Sequence, residues 1–473
     1  MKTNLNPFAW RQNTTGGLKA LAVLLAAAIL STVAVGCGDD NTDNTQNPAN
    51  NAQDDTANNA QDPDDQEPDD QEPDDQNPDV QEPDDREVPT SNDRADAPTY
   101  GVRGPHAVGF ASVEVEREGA APLEVDLWYP ALNPDNAPEA VLYDMKLKAP
   151  EWAEQVESPM VVGRALQDAT INDGAGPLPV ILFSHGFGLN AAWYSDLIEH
   201  YASHGFVVLA PDHTESDWFQ VAEASFDRPV DVTHTLDLAE ALGGDGGQWD
   251  GLLDLERVAL VGHSYGGYTA LAAAGARFEW APFEARCADL HPEDPAQFLC
   301  APFVGRQQDM AQMAGLDEVP EGLWPSMRDE RVKAIVPISG DAYLFGQQGL
   351  AQITVPMMAI GGTADFGTPW TWGPEPAYTH TSSQRRALMG LEGGSHFLPS
   401  NLCQDMPWVS QLSDVYAFAC FDPVWDKSRA LDLIQHFSTA FLLSTFTDDQ
   451  DAAAALDPAF HWLPGVQYQA VLP

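Results

Sequence analysis

The chain has 473 residues, 72 of them Asp or Glu against 22 Lys or Arg, for a formal net charge of −50. A surface of that sign repels phosphate backbones, which argues against nucleic acid as a partner and for solubility rather than a binding role. The length admits two or three domains, but the first fifth of the chain has too few apolar residues to fold.

At the N-terminus, Lys2, Arg11 and Lys19 precede the apolar run Ala20–Leu30, which leads into Ala34-Val35-Gly36-Cys37. A basic start, an apolar core too short for an ordinary membrane span and small residues before a cut describe a secretory signal over 1–36. The cysteine after Gly36 makes it resemble a bacterial lipoprotein signal, in which Cys37 is the lipid attachment point. Ala34 is a weaker residue for that motif than leucine, and ordinary cleavage leaving a spare Cys37 thiol is the alternative. The implied location is exported and membrane-anchored, in the periplasm or on the surface of a bacterium. From 37 to 98 the chain is Asn, Asp, Gln, Pro and Glu, with Asp-Asp-Gln-Glu-Pro recurring between Asp64 and Asp85. Such a segment cannot offset its ordering entropy and reads as a self-repelling disordered tether. It lacks the spacing and central glycine of a calcium loop.

Residues 99–473 read as one domain. Two alternating runs, Ala111–Glu116 and Leu123–Tyr129, are joined by a Gly-bearing turn and predict an antiparallel edge hairpin. The Pro-, Asn- and Gly-rich stretch 131–178 reads as loops with one short helix. Buried strands then alternate with helices: Val180–Phe183, Phe206–Ala210, Arg257–Val261, Ala334–Ile338, Pro356–Ile360 and Arg386–Met389. That alternation implies an α/β fold, a mostly parallel sheet covered on both faces. Helices are expected over Ala191–Ser203 and Thr233–Leu242. A last amphipathic helix, carrying Leu433, Ile434, Phe437, Ala440 and Phe441 on one stripe, ends the chain. Residues 278–330 are expected to form a lid. Cys287, Cys300, Cys403 and Cys420 imply two disulfides in an exported chain; proximity favours 287–300 and 403–420 among three pairings.

The stretch that organises the domain is Arg257-Val-Ala-Leu-Val-Gly-His-Ser-Tyr-Gly-Gly-Tyr268. A β-branched run, Gly262-His-Ser-Tyr-Gly266 and a small-residue helical run make strand, sharp turn and helix, the context of a nucleophile elbow with Ser264 at its apex. A serine needs a base, an orienting acid and an oxyanion hole, in chain order nucleophile, acid, base. His396 in Gly393-Gly-Ser-His-Phe397 is the base; His185, His204, His213 and His263 precede or sit inside the elbow and read as loop-shaping. Asp365 in Gly361-Gly-Thr-Ala-Asp365 is the favoured acid, with Asp341 in Ser339-Gly-Asp341 the rival. The oxyanion donors are the N–H groups of Tyr265 and Phe187, the latter in Ser184-His-Gly-Phe-Gly188.

These residues resemble the α/β-hydrolase superfamily. Within it they are similar to exported enzymes of the platelet-activating-factor acetylhydrolase-like and dienelactone-hydrolase-like branch. The motifs carrying the likeness are Pro179–Gly188, Ala202–His213, Arg228-Pro-Val-Asp231 and Gly262–Ala270. The resemblance implies a Ser-His-Asp esterase acting on short-chain acyl esters, with a small-molecule or lipid ester as substrate and no metal or other cofactor. True dienelactone hydrolases carry cysteine where Ser264 stands, so that name gives no substrate. Trp370 and Trp372, in a loop matching no family motif, are candidate substrate-binding residues, and a monomer is expected. The rivals are a cutinase- or lipase-like hydrolase of polyester or lipid, and a catalytically silent surface binding module.

Overall fold

The computed structural model describes residues 94, 96–146, 148, 158–215, 220–401, 420–460 and 463–473. The leader, Cys37, nearly all of the acidic tether and Cys403 lie outside the described residues. The strands are β1 (Ala107–Val115), β2 (Leu123–Ala131), β3 (Val141–Asp144), β4 (Met160–Gly163), β5 (Leu166–Gln167), β6 (Leu178–Ser184), β7 (Val207–Pro211), β8 (Leu253–His263), β9 (Ala334–Ile338), β10 (Met357–Gly362), β11 (Arg386–Leu391) and β12 (Val466–Val471). Among the described residues, ten of them form one sheet in the order β12-β11-β10-β9-β8-β6-β7-β2-β1-β5. The central pairs from β7 to β11 are parallel, and antiparallel strands flank them on both sides.

The apolar runs become central strands because both of their faces are covered. Along β8, Val258 and Leu260 join one buried cluster and Ala259 and Val261 the other, on the opposite face of the pleat. Each of the valine and leucine side chains contributes about 1.5–3 kcal/mol when fully buried. Helices α1 (Ser195–Ser203), α2 (Val221–Gly243), α3 (Tyr265–Ala273), α4 (Trp280–Asp289) and α5 (Lys427–Phe446) supply the covering layers. Helices α2, α3 and α4 add to the first cluster, and α1 and α5 to the second. The predicted stripe on α5 is buried as expected, and the Asp426 carboxylate caps the helix by accepting from the Arg429 N–H.

Four expectations are corrected. The stretch 131–178 is not loop with one helix: β3 pairs with β4 in a small sheet of its own, and β5 pairs with β1. These strands have two to four residues, too short for a period to show. Consequently β5, not the β1–β2 hairpin, forms that edge of the main sheet. The chain does not end with α5 but with β12, antiparallel to β11. Finally, α2 begins at Val221, well before Thr233, and runs through Pro229. Proline removes the N–H that would bond to the Ser225 carbonyl. The Tyr268 hydroxyl donates to that carbonyl instead at 2.9 Å, so the helix continues without a buried orphan.

In 278–330, a Cys287–Cys300 disulfide staples α4 to a short helix at Gln297–Cys300, and another short helix follows at Gln307–Met313. Trp280 stacks on Trp324 and Phe283 on Tyr343, so the segment is rooted in the main core. Cys420 is disulfide-bonded. Among the described residues, no helix is long and apolar enough to cross a membrane.

Candidate active site

Chain order reverses at β6, which lies between β7 and β8; in open α/β sheets such a switch point opens a crevice at the strands' carboxyl ends. Ser264 sits there, between β8 and α3, with φ +56° and ψ −121°, a backbone conformation that costs an L-residue free energy. The flanking glycines are required by contact. A Cβ at Gly262 would lie 2.2 Å from the Gly266 oxygen, and one at Gly266 would lie 1.8 Å from the Ser184 oxygen. The elbow is thereby pressed against the end of β6. Tyr265 opens α3, which places its N–H at the helix's N-terminal end beside Ser264.

The structure brings Ser264, His396 and Asp365 into one chain of hydrogen bonds. His396 Nε2 lies 3.0 Å from Ser264 Oγ, and its Nδ1 lies 2.9 Å from both Asp365 oxygens. Ser264 is half-buried, whereas His396 and Asp365 are 4% and 5% exposed. Burial pulls the imidazole's proton affinity down, but the Asp365 charge and hydrogen bond override it, so His396 sits above the ordinary histidine value. Asp341, the rival acid, does not bond to His396. Its carboxylate accepts from the Thr368 hydroxyl at 2.7 Å, and burial pushes it up to about 7. The Thr368 N–H bonds to Asp365 at 2.8 Å, so one residue spaces the two acids.

Several further residues hold this chain in place. His263 bonds through Nε2 to the His396 carbonyl and through Nδ1 to the Tyr194 hydroxyl, both at 2.9 Å, and that hydroxyl accepts from the Gly186 N–H. The loop after β6 is thus tied to the base loop through the elbow's own histidine. Asp422 accepts from the Ser395 N–H at 2.8 Å. Gly367 lies flat against the imidazole: an added Cβ would sit 2.7 Å from the His396 ring. Because that ring is fixed at both nitrogens, Gly367→Ala is expected to displace it and lower kcat about a hundredfold. Steady-state kinetics beside an unchanged circular dichroism spectrum would check this, and undiminished turnover would contradict it.

Phe187 is half-buried and meets Tyr265 edge-on at 5.9 Å between ring centroids. Trp372 and Trp370, the candidate substrate-binding residues, both make packing contacts. Trp372 is buried beside Tyr343 with the Arg286 guanidinium 3.8 Å above its ring, and Trp370 leans on Gly390 of β11. Arg286 also bonds to the Thr371 carbonyl at 2.9 Å, fastening α4 to the tryptophan loop. Among the described residues, no group of three or more His, Cys, Asp or Glu could hold a metal ion.

A mostly parallel sheet with helices on both faces, a serine on a strained strand-to-helix turn, and an aspartate and histidine on loops after later strands make up an α/β-hydrolase fold. The Chlorophyllase family model matches residues 156–284, which hold the loop after β6 and the elbow. Chlorophyllase-1 of Arabidopsis thaliana is 54% identical over 37 residues, 8% of this chain and 11% of that protein. Chlorophyllase-2 of the same plant is 32% identical over 119 residues, 22% of this chain and 31% of that protein. The chloroplastic chlorophyllase-1 of Citrus sinensis is 34% identical over 110 residues, 21% and 29% of the two chains. The chain therefore spans less than a third of the length of the curated relatives it matches. A ferulic acid esterase from Streptomyces cinnamoneus superposes with a TM-score of 0.49 at 17% identity, covering 77% of this chain and 96% of that one.

Proposed function

We propose that the chain is a serine hydrolase that cleaves carboxylic esters through an acyl-enzyme. The observation that carries this reading is the unbroken series Ser264–His396–Asp365 at a half-exposed turn. Asp365 accepts from His396 Nδ1–H and leaves Nε2 as the acceptor for the serine proton. The alkoxide attacks the ester carbonyl, and the resulting oxyanion is met by the N–H groups of Tyr265 and Phe187. Each such donor typically contributes about 3 kcal/mol to the transition state. The imidazolium then protonates the departing alcohol, and water, deprotonated by the same nitrogen, releases the acid. The match to the Chlorophyllase model over the segment holding Ser264 supports ester cleavage.

The substrate class is short-chain acyl esters, with 278–330 as the covering segment. A fluorophosphonate probe and a series of p-nitrophenyl esters test the reading together. Labelling with rates falling beyond short acyl chains is the expected result. Rates that rise toward long chains would move the substrate class to lipids or polyesters, and failure of the wild type to label would leave a silent binding module. The leader and Cys37 support export and lipid anchoring, with the acidic segment as a spacer. In cells, wild type is expected to partition with membranes and Cys37→Ala to appear in the soluble fraction; identical partition would remove the anchor.

A further inference from the structure

The motif Arg228-Pro-Val-Asp231 on α2 takes no part in the proposed bond-breaking steps, yet Arg228 is completely buried beneath the loop after β6. Its guanidinium reaches that loop's backbone. Nη1 donates to the His185 carbonyl at 2.6 Å and to Ser184 Oγ at 3.4 Å, and Nη2 donates to the Gly186 carbonyl at 3.4 Å. Glu215 balances the charge, accepting from Nε at 3.0 Å and pairing with Nη2.

We infer that Arg228 is a positioning residue for the oxyanion hole: by holding the Gly186 carbonyl inward, it aims the Phe187 N–H at the developing oxyanion. The argument is covalent. The Gly186 carbonyl and the Phe187 N–H belong to one peptide unit, and in a planar trans peptide the two point in opposite directions. Fixing the oxygen on the α2 side turns the hydrogen to the other side. Glycine at 186 and Gly188 at φ +69° leave this unit little steric guidance of its own, so the orientation has to come from hydrogen bonds.

A second set of bonds acts on the same oxygen. The His213 N–H donates to His185 Nε2 at 3.0 Å, which puts the His185 proton on Nδ1, where it donates to the Gly186 carbonyl at 2.7 Å. His213 is fixed in turn: Nδ1–H donates to Asp231 at 2.8 Å, and Nε2 accepts from the Ser184 hydroxyl at 2.9 Å. Arg117 holds the other Asp231 oxygen at 2.6 Å. Burial keeps both imidazoles below the ordinary histidine value, in keeping with neutral rings that each donate once and accept once. Arg228 and Asp231, three residues apart on one helix face, therefore act on the loop together.

This inference rests on the proposed ester hydrolysis, and the test separates the two. Removing Arg228 alone would strand the Glu215 carboxylate, so the informative variants are Arg228→Lys, which keeps the charge but not the fork, and Arg228→Met/Glu215→Gln, which removes both charges. Each is compared with wild type in kcat, KM, thermal midpoint and affinity for a trifluoromethyl ketone, whose tetrahedral adduct carries the oxyanion. Deleting an oxyanion donor costs about 10²–10³-fold in kcat, and misaiming one is expected to cost about 10–100-fold with KM nearly unchanged. The ketone's affinity should fall by the same factor as kcat/KM, and Arg228→Lys should lie between wild type and the double variant. A folded double variant or a lysine variant with wild-type kcat overturns the inference while leaving the hydrolase intact. A loss confined to KM, or one that ketone affinity does not follow, also overturns it. A wild type that neither turns over esters nor labels overturns the underlying reading instead.

Discussion

Replacing Ser264 by alanine is expected to lower turnover about a millionfold, the scale found when the nucleophile of such a unit is removed. No second nucleophile stands ready among the described residues nearby. The Tyr265 hydroxyl is fully buried on Ser225 and Val221, and Ser184, although it too bonds to a histidine that bonds to an aspartate, is completely buried. The fold should be unaffected, because alanine carries the same Cβ and meets the same φ of +56°. What survives is the contribution of the oxyanion hole and of binding. Kinetics on a short p-nitrophenyl ester, fluorophosphonate labelling and thermal unfolding measure the three parts. Labelling that persists in Ser264→Ala, or a loss of less than tenfold, would mean that the attacking atom lies elsewhere.

The elbow was legible because its chemistry and its geometry impose the same residues. Gly262 and Gly266 are demanded by atoms at 2.2 and 1.8 Å, and a small-residue helix must follow for the turn to close. The central strands were legible for a related reason: both faces are covered, so they are apolar without interruption. Elements whose identity depends on partners were not. β12 alternates half-buried and exposed side chains, a weak pattern that becomes a strand because β11 offers an open edge. The continuity of α2 through Pro229 depends on a hydroxyl from α3, far away in sequence. The sequence favoured Asp365 over Asp341 as the acid without deciding between them. Both follow a strand and a glycine, and only the register that pairs Ile360 with Ile338 carries Asp365 farther beyond the sheet than Asp341. Gly367 and Thr368 act on the site through contact with His396 or Asp365, which no motif encodes, whereas His263, read as loop-shaping, does hold the base loop at the His396 carbonyl.

Asp365→Asn is expected to reduce kcat about ten-thousandfold, since an amide in that place favours the wrong imidazole tautomer. Asp341→Asn should stay within about tenfold of wild type, because an amide oxygen can still accept from Thr368 and no bond to His396 is lost. The acid limb of kcat/KM gives an independent reading. His396 must be neutral to take the serine proton, so activity rises with pH, and the Asp365 charge should place the wild-type midpoint above about 6.5. Asp365→Asn removes that charge and leaves burial dominant, which should move the midpoint to lower pH even as the plateau falls. An Asp341 that supplied the orienting charge would reverse both the rates and the shifts. Stability runs opposite to activity. A histidine whose folded value lies above its unfolded one adds stability that is complete below the unfolded value of about 6.5 and lost as pH rises through the folded one. The site is therefore held most firmly with the imidazole charged and unable to act as a base, and it works on the alkaline side, where that contribution has gone.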